Sequence, residues 1–203
     1  MQLAKQRGIR RLSMRIGIVS DIHSQADRLD RALRLLGDCD LILCAGDISD
    51  QSNFDPRAVQ LLSQADVLAI KGNNDFAACA NPLIQKNVAA KAEEKWLASL
   101  AALPAQRSLK IDGLHVGLFH GSPWDDPAMD YFHYVYPEST RDVGRIAAEG
   151  FDIVILGHTH RAMSLQSRGT LIVNPGSCGY GTPPSCAAID TTSREVKFRT
   201  PEP

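Results

Sequence analysis

Short apolar runs recur along the chain, and each one ends in glycine or polar residues. The runs are rich in branched side chains and cover residues 15–20, 41–45, 67–70, 114–119, 153–156 and 170–173. Runs of this length and composition are typical of buried strands. Between several of them, apolar residues recur at helical spacing, around positions 29–36, 59–62, 96–100 and 143–147. Strands that alternate with helices predict an α/β layered fold.

The last third of the chain has a different pattern. Residues 165–199 hold three strand-like runs separated by turns and no convincing helix, which predicts a second, more antiparallel sheet there. The length of 203 residues, without a repeat or a linker, predicts a single domain over residues 14–203. Residues 1–13 carry four basic side chains with little periodicity. We interpret them as a flexible basic extension, with a nucleic-acid-binding arm as the alternative.

Composition argues against several classes of function. A net charge of -1 gives no bias toward polyanions, so nucleic acid is not an expected partner. No apolar run approaches the roughly eighteen residues that span a bilayer, and the N-terminus lacks a signal-peptide core; we therefore expect a cytoplasmic protein with no membrane partner. The five cysteines form no C-x-x-C pair, which argues against a disulfide framework and a thiolate zinc site. The oligomeric state stays open.

Polar residues follow the C-terminal ends of five predicted strands. They are Asp21, His23, Asp47, Asn73, Asn74, Asp75, His120, His158 and His160. Ligands bind at that edge of α/β sheets, so we expect these side chains to meet on one rim. Any single one could be a turn, a helix cap or a surface group, but together they favour a site for divalent transition metals with nitrogen and oxygen ligands.

Two pairs of these residues are spaced i and i+2. They are Asp21 with His23, and His158 with His160. In an extended segment, side chains at this spacing project to the same side. We therefore expect each pair to face one direction.

The order of the motifs resembles that of the calcineurin-like metallophosphoesterase superfamily. The matching segments are Asp-Ile-His at 21–23, Gly-Asp at 46–47, Gly-Asn-Asn-Asp at 72–75, His-Gly at 120–121 and Gly-His-Thr-His at 157–160. The size of the chain, together with segments 120–123 and 174–177, is similar to that of the compact bacterial and archaeal phosphodiesterases. The resemblance implies a four-layer α/β/β/α sandwich of two mixed sheets flanked by helices.

The resemblance also implies a set of metal ligands. Asp21, His23, Asp47 and His160 would hold a first ion, and Asp47, Asn73, His120 and His158 would hold a second. Asp47 would bridge the two ions, with Asp75 and residues 174–177 supporting the ligands. Manganese is the expected metal, with iron, nickel, cobalt and zinc as alternatives, since sites of this kind accept several metals.

The activity implied by the resemblance is hydrolysis of small phosphodiesters, with nucleotides among the candidate substrates, by in-line attack of a metal-bridging hydroxide. Asn74 stands where the family has a catalytic histidine, and it can donate a hydrogen bond but no proton. This favours substrates whose leaving group needs little acid help. The alternatives are a nucleotide pyrophosphohydrolase, a phosphomonoesterase, or a metal-binding scaffold like the retromer subunit of the same fold.

Two features near the motifs have open roles. The loop over residues 122–137 is dense in aromatic residues and prolines. It either packs onto the domain or contacts a nucleobase or aryl group of the substrate, in which case Tyr131 and His133 are the first candidates. Arg161 either contacts a phosphate or covers a carboxylate.

Overall fold

The computed structural model describes residues 13–201, which form two five-stranded sheets and six α-helices. The first half of the chain contains β1 (Arg15–Val19), α1 (Ala26–Leu35), β2 (Leu41–Cys44), α2 (Pro56–Gln64), β3 (Leu68–Ala69), α3 (Asn73–Ala80), α4 (Pro82–Ala90) and α5 (Glu94–Ala101). The second half contains β4 (Arg107–Ile111), β5 (Leu114–Leu118), α6 (Thr140–Ile146), β6 (Ile153–Ile155), β7 (Ala162–Ser167), β8 (Thr170–Pro175), β9 (Cys186–Asp190) and β10 (Val196–Arg199), with a short 3-10 helix at Pro127–Met129.

Both sheets are mixed. The first has the strand order β10-β9-β1-β2-β3, in which β1, β2 and β3 run parallel. The second has the order β4-β5-β6-β8-β7, in which β5, β6 and β8 run parallel. The remaining neighbours in each sheet pair antiparallel. All six predicted strands are present, and the parallel strands are those that the motifs follow.

Side-chain alternation divides the apolar residues into three clusters. Ile16 and Ile18 of β1 pack against strands of the second sheet, in a cluster between the two sheets. Val19 points to the opposite face, where helices α1 to α5 cover the first sheet. Ile146 of α6 packs on the outer face of the second sheet. These clusters produce the layer order helix, sheet, sheet, helix, which confirms the predicted sandwich.

The predicted separate C-terminal sheet is wrong. The strands of that region pair antiparallel, but β7 and β8 lie in the second sheet whereas β9 and β10 lie in the first. The physical reason is that β9 is buried on both faces and pairs with β1 at the start of the chain, with Ile189 opposite Ile16. Such a long-range pairing leaves no local signal in the sequence.

The predicted basic extension over residues 1–13 lies outside the described residues except for Ser13, whose hydroxyl donates to Asp190 Oδ2 at 3.0 Å. The single-domain boundary at residue 14 therefore stays a prediction. Within residues 13–201, none of the helices has both the length and the apolar character needed to cross a membrane.

Candidate metal centre

The polar residues that follow the parallel strands come from both sheets and meet where the two sheets end together. Hydrogen bonds join the loops: the Gly157 N–H donates to the His120 carbonyl at 2.7 Å, and the Asp21 N–H donates to the Gly46 carbonyl at 3.0 Å. His120 Nδ1 lies 2.7 Å from the Ala45 carbonyl and so links the second sheet to the first. The loops of both sheets therefore form one rim.

A first group of candidate ligands consists of Asp21, His23 and His160, whose ligand atoms lie within 4.8 Å of one another. The Nε2 atoms of His23 and His160 are 3.0 Å apart, and His160 Nε2 lies 3.3 Å from Asp21 Oδ1. Burial lowers the pKa of His23, whereas the interaction with Asp21 raises the pKa of His160. Both Asp21 oxygens also accept the His158 N–H, at 3.1 Å.

A second group consists of Asp47, His120 and His158, again within 4.8 Å. His120 Nε2 lies 3.4 Å from Asp47 Oδ2 and 3.1 Å from Asn73 Oδ1, which brings the predicted ligand Asn73 into this group. Burial, together with neighbouring His120, lowers the pKa of His158 to about 4. His158 is thus neutral at physiological pH and has a free nitrogen lone pair.

Asp47 lies between the two groups. Its Oδ2 atom is 3.4 Å from His120 Nε2 and 3.8 Å from His23 Nε2. Asn74 holds the carboxylate, since its backbone N–H donates to Oδ1 at 2.9 Å and its Nδ2 donates to Oδ2 at 2.6 Å. Burial alone would raise the pKa of Asp47, but the histidines and Asn74 lower it below its ordinary value, so the carboxylate is ionised.

The donor set fits divalent cations. His120 Nδ1 faces a carbonyl and therefore carries a proton, which leaves Nε2 to face the oxygens of Asn73 and Asp47. Burial alone would lower the pKa of His120, but the negative charge of Asp47 raises it to about 10, so this position favours a positive charge. Among residues 13–201, no hydrogen-bond partner faces the buried His158 Nε2. A shared cation satisfies such converging acceptors.

Predicted supporting residues hold the loops around both groups. The buried Asp75 carboxylate accepts N–H groups from Ser49 at 2.7 Å, Gly72 at 2.9 Å and Ile48 at 3.2 Å, so it ties the loop after β2 to the start of α3. Burial and the nearby Asp47 raise the pKa of Asp75 to about 7.

The turn after β8 supports the ligands from the other side. Asn174 Nδ2 donates to the Gly157 carbonyl at 2.6 Å, and Ser177 Oγ donates to the Asp21 carbonyl at 2.8 Å. These two side chains connect the loop that carries His158 and His160 to the loop that carries Asp21.

The backbone at the ligands is left-handed. Asp21, His23, Asp47, His158 and His160 have φ angles of 53°, 48°, 52°, 68° and 57°. The expectation that the i, i+2 pairs are extended is therefore wrong. Asp21 and His23 still meet in one group, as expected, but His158 and His160 belong to different groups. A left-handed conformation costs a residue with a side chain about 1–3 kcal/mol, and such strain concentrates at functional sites.

The aromatic side chains beside the candidate metal-binding groups differ from the candidates chosen from the sequence. Tyr131 and His133 contact each other, with the Tyr131 hydroxyl 2.7 Å from His133 Nδ1. The Tyr134 ring instead lies 4.0 Å from the His158 ring, and the Tyr180 ring is stacked on His23 at 4.5 Å. Sequence reasoning missed Tyr180, because nothing in its neighbourhood distinguishes it from a turn residue. Of the two alternatives left open for Arg161, the structure shows the second: the guanidinium pairs with the Glu138 carboxylate at 3.0 Å and lies over Tyr136.

Comparisons with known proteins agree with this geometry. A family model described as the calcineurin-like phosphoesterase superfamily domain matches residues 14–194. A phosphodiesterase of Methanocaldococcus jannaschii is 27% identical over 91% of this chain and 97% of its own length. A probable metallophosphoesterase of the same archaeon is 29% identical over 81% of this chain and 68% of its own length.

A solved structure has the same architecture. The crystal structure of a metallophosphoesterase from Sphaerobacter thermophilus superposes with a TM-score of 0.69 at 26% identity, over 93% of this chain and 88% of that one. The match of the family model over most of the chain, on a fold that brings two metal-binding groups together, places this protein among the metal-dependent phosphoric ester hydrolases of the calcineurin-like phosphoesterase superfamily.

Proposed function

We propose that this chain is a phosphodiesterase that uses two divalent metal ions. The position of Asp47 carries the proposal, since Oδ2 of this one carboxylate lies 3.4 Å from a histidine of one group and 3.8 Å from a histidine of the other. An oxygen in that position is suited to bridging two ions. Asp21, His23, Asp47 and His160 would hold the first ion, and Asp47, Asn73, His120 and His158 the second.

Two divalent ions bound there supply Lewis acidity that activates water as the nucleophile and neutralises charge on the phosphoryl oxygens. Manganese is the metal we propose, because oxygen and nitrogen ligands without thiolate accept it. The residues of the chain orient the ligands: Asn74 fixes the Asp47 carboxylate, and the carbonyl of Ala45 fixes the proton on His120 Nδ1.

Two observations favour a diester over a monoester. Asn74 donates its side-chain N–H to Asp47 and has no proton to transfer to a leaving group. Arg161, the cation next to His160, pairs with Glu138 and would have to give up this pair to neutralise the extra charge of a monoester. Hydrolysis adds water across one P–O ester bond, and the leaving oxygen takes its proton from solvent. The relative that is named a phosphodiesterase aligns with this chain over nearly its full length, which supports the same choice.

The test compares hydrolysis of bis-p-nitrophenyl phosphate and p-nitrophenyl phosphate by metal-stripped protein titrated with manganese. Asp47→Asn is the test variant and Asp66→Asn its matched control, because Asp66 is exposed and has nearly the same φ of 51°. We expect manganese-dependent activity that prefers the diester. The activity of Asp47→Asn should fall at least about a hundredfold, because loss of a residue that only supports a metal ligand already costs up to about that factor. The control should keep wild-type activity.

Other outcomes contradict the proposal in different ways. A preference for the monoester would identify a phosphomonoesterase. Bound metal without activity on either ester would favour the scaffold alternative. Equal activity in Asp47→Asn and the wild type would show that Asp47 does not bridge.

A further inference from the structure

We propose, on the basis of the phosphodiesterase function above, that Tyr134 and Tyr180 bind planar aromatic groups of the substrate. The substrates would then be phosphodiesters that carry a nucleobase or an aryl ring. Each tyrosine lies against a histidine of a different metal-binding group, so an aromatic ring is present beside each group.

Tyr180 is held in place and stays half exposed. The His23 ring is stacked on it with centroids 4.5 Å apart and an interplanar angle of 15°. The Tyr180 hydroxyl donates to Asp50 Oδ2 at 3.1 Å, and its backbone N–H donates to Ser177 Oγ at 2.7 Å. The residue is nonetheless 50% exposed. His23 therefore covers one face of the ring, and half of the residue's surface stays accessible to a substrate.

Tyr134 has an equivalent position at the second group. Its ring lies 4.0 Å from His158, and the residue is 54% exposed. Phe132 extends this surface, with its ring 5.8 Å from His120. Large apolar side chains that stay half exposed beside a polar site are candidates for ligand contact.

The segment that carries Tyr134 is anchored to the metal centre. The Asp125 carboxylate accepts the Gly121 N–H at 2.8 Å and the Ser122 N–H at 2.9 Å, directly after the ligand His120. The same carboxylate accepts the His133 N–H at 3.0 Å, next to Tyr134. The ring is therefore positioned before any substrate arrives, which reduces the entropy lost on binding.

The shape of a phosphodiester matches two rings better than one. A phosphoryl group at the metal centre carries two ester groups, and each can extend toward one tyrosine. Any flat aromatic ring can stack on a tyrosine, whichever base or aryl group it is, whereas a methyl group has no π-face to stack. Diesters with aromatic groups should therefore be better substrates than diesters of similar reactivity with an alkyl group.

The test uses three phosphodiesters that share a p-nitrophenyl leaving group. The other ester group is methyl in the first, phenyl in the second and thymidine, attached through its 5′ oxygen, in the third. We expect the manganese-loaded wild type to prefer the phenyl and thymidine esters. Alanine at the tyrosine beside the variable group should lower the ratio of kcat/KM for these two esters to kcat/KM for the methyl ester about five- to a hundredfold. Alanine at the other tyrosine should lower kcat/KM for all three alike, since the leaving group is common to them.

Two variants separate stacking from loss of structure. Tyr134→Phe keeps the ring and should retain wild-type selectivity. Tyr131→Ala removes a half-exposed aromatic residue of the same loop that contacts His133 and not a metal-binding group, and should change nothing. The phenyl and thymidine arms distinguish an aryl group from a nucleobase as the better ligand.

A binding measurement makes the inference independent of turnover. Calorimetry compares phenylphosphonate with methylphosphonate on the manganese-loaded wild type, Tyr134→Ala and Tyr180→Ala. We expect tighter binding of the phenyl compound, reduced in the alanine variants. Equal affinity for both phosphonates, or alanine variants with wild-type selectivity, would overturn the inference while leaving the phosphodiesterase intact. Failure to hydrolyse any of the three esters would instead overturn the proposed function, and the binding result would still decide the inference.

Discussion

Replacing Gly72 by alanine tests how tightly the metal centre is packed. Gly72 precedes α3 and has a φ of −101°, which any residue adopts, so the effect is steric. A Cβ atom there would lie 2.2 Å from Asp47 Oδ1, 2.6 Å from Asp47 N and 2.7 Å from His120 Cε1. Since unstrained contacts of this kind are about 3.5 Å or longer, Asp47 or the start of α3 must move by about 1 Å.

The expected magnitudes follow from that displacement. Overpacking of this kind costs about 1–3 kcal/mol of the free energy of unfolding. In a chain of this size, that loss lowers Tm by roughly 2–12 °C. Because a displacement of about 1 Å at a reacting centre costs about a hundredfold in rate, we expect kcat/KM for bis-p-nitrophenyl phosphate to fall by about that factor.

The assay combines thermal unfolding, metal content after dialysis and kcat/KM with manganese. Gly144→Ala in α6 is the matched control, because no atom outside the neighbouring residues and backbone of its own helix lies within 4 Å of its added Cβ. Within a helix, that change should raise stability by about 0.5–1 kcal/mol without affecting the rate. A Gly72→Ala protein with the Tm and kcat/KM of the wild type would refute the reasoning from packing at Asp47.

Three further predictions concern other parts of the molecule. The Arg199 guanidinium holds the pKa of the exposed Asp38 carboxyl at about 2, below its usual 3.8, so this pair stabilises the fold above pH 4 and is lost as pH falls through 2. Asp38→Asn should lower stability at pH 7 by less than about 1 kcal/mol, and flatten the loss of Tm between pH 4 and pH 2. Asn174→Ala removes the acceptor of the buried Gly176 N–H and one of two donors to the Gly157 carbonyl, which keeps the Thr159 N–H. The change should cost about 1–3 kcal/mol and lower metal retention after dialysis. Iodoacetamide followed by mass spectrometry should label the partly exposed thiols and spare the buried ones, whose pKa is raised by burial; the first set is Cys39 and Cys79, the second Cys44, Cys178 and Cys186. Labelling of all five at equal rates would contradict the burial of the second set.

Elements with a strong local pattern were predicted well. The strand that contains Ile16 and Ile18 is recognisable because a strand buried on both faces must be apolar throughout. Helix α3 was not predicted, because it begins with Asn73 and Asn74, residues that favour turns and caps over helix interiors. It is helical because Asp75 accepts the Gly72 N–H and closes the first turn. That bond belongs to the same network that holds the metal centre.

The sequence by itself determined the family and selected the residues of the candidate metal centre. The order and identity of these residues at strand ends are set by short local segments, and such motifs are readable without coordinates. Asp21, Asp47 and His120 were all selected in this way, and the structure brings Asp21 into one candidate metal-binding group and the other two into the second.

The tertiary structure decided how those residues are divided and what surrounds them. His158 and His160 are two positions apart yet belong to different groups, because left-handed turns and the junction of two sheets set their directions. Tyr180 meets His23 only because the turn after β8 in the second sheet folds back on the loop after β1 in the first. Contacts between residues so far apart in the chain depend on how the sheets pack, and packing is a property of the whole fold rather than of any short segment.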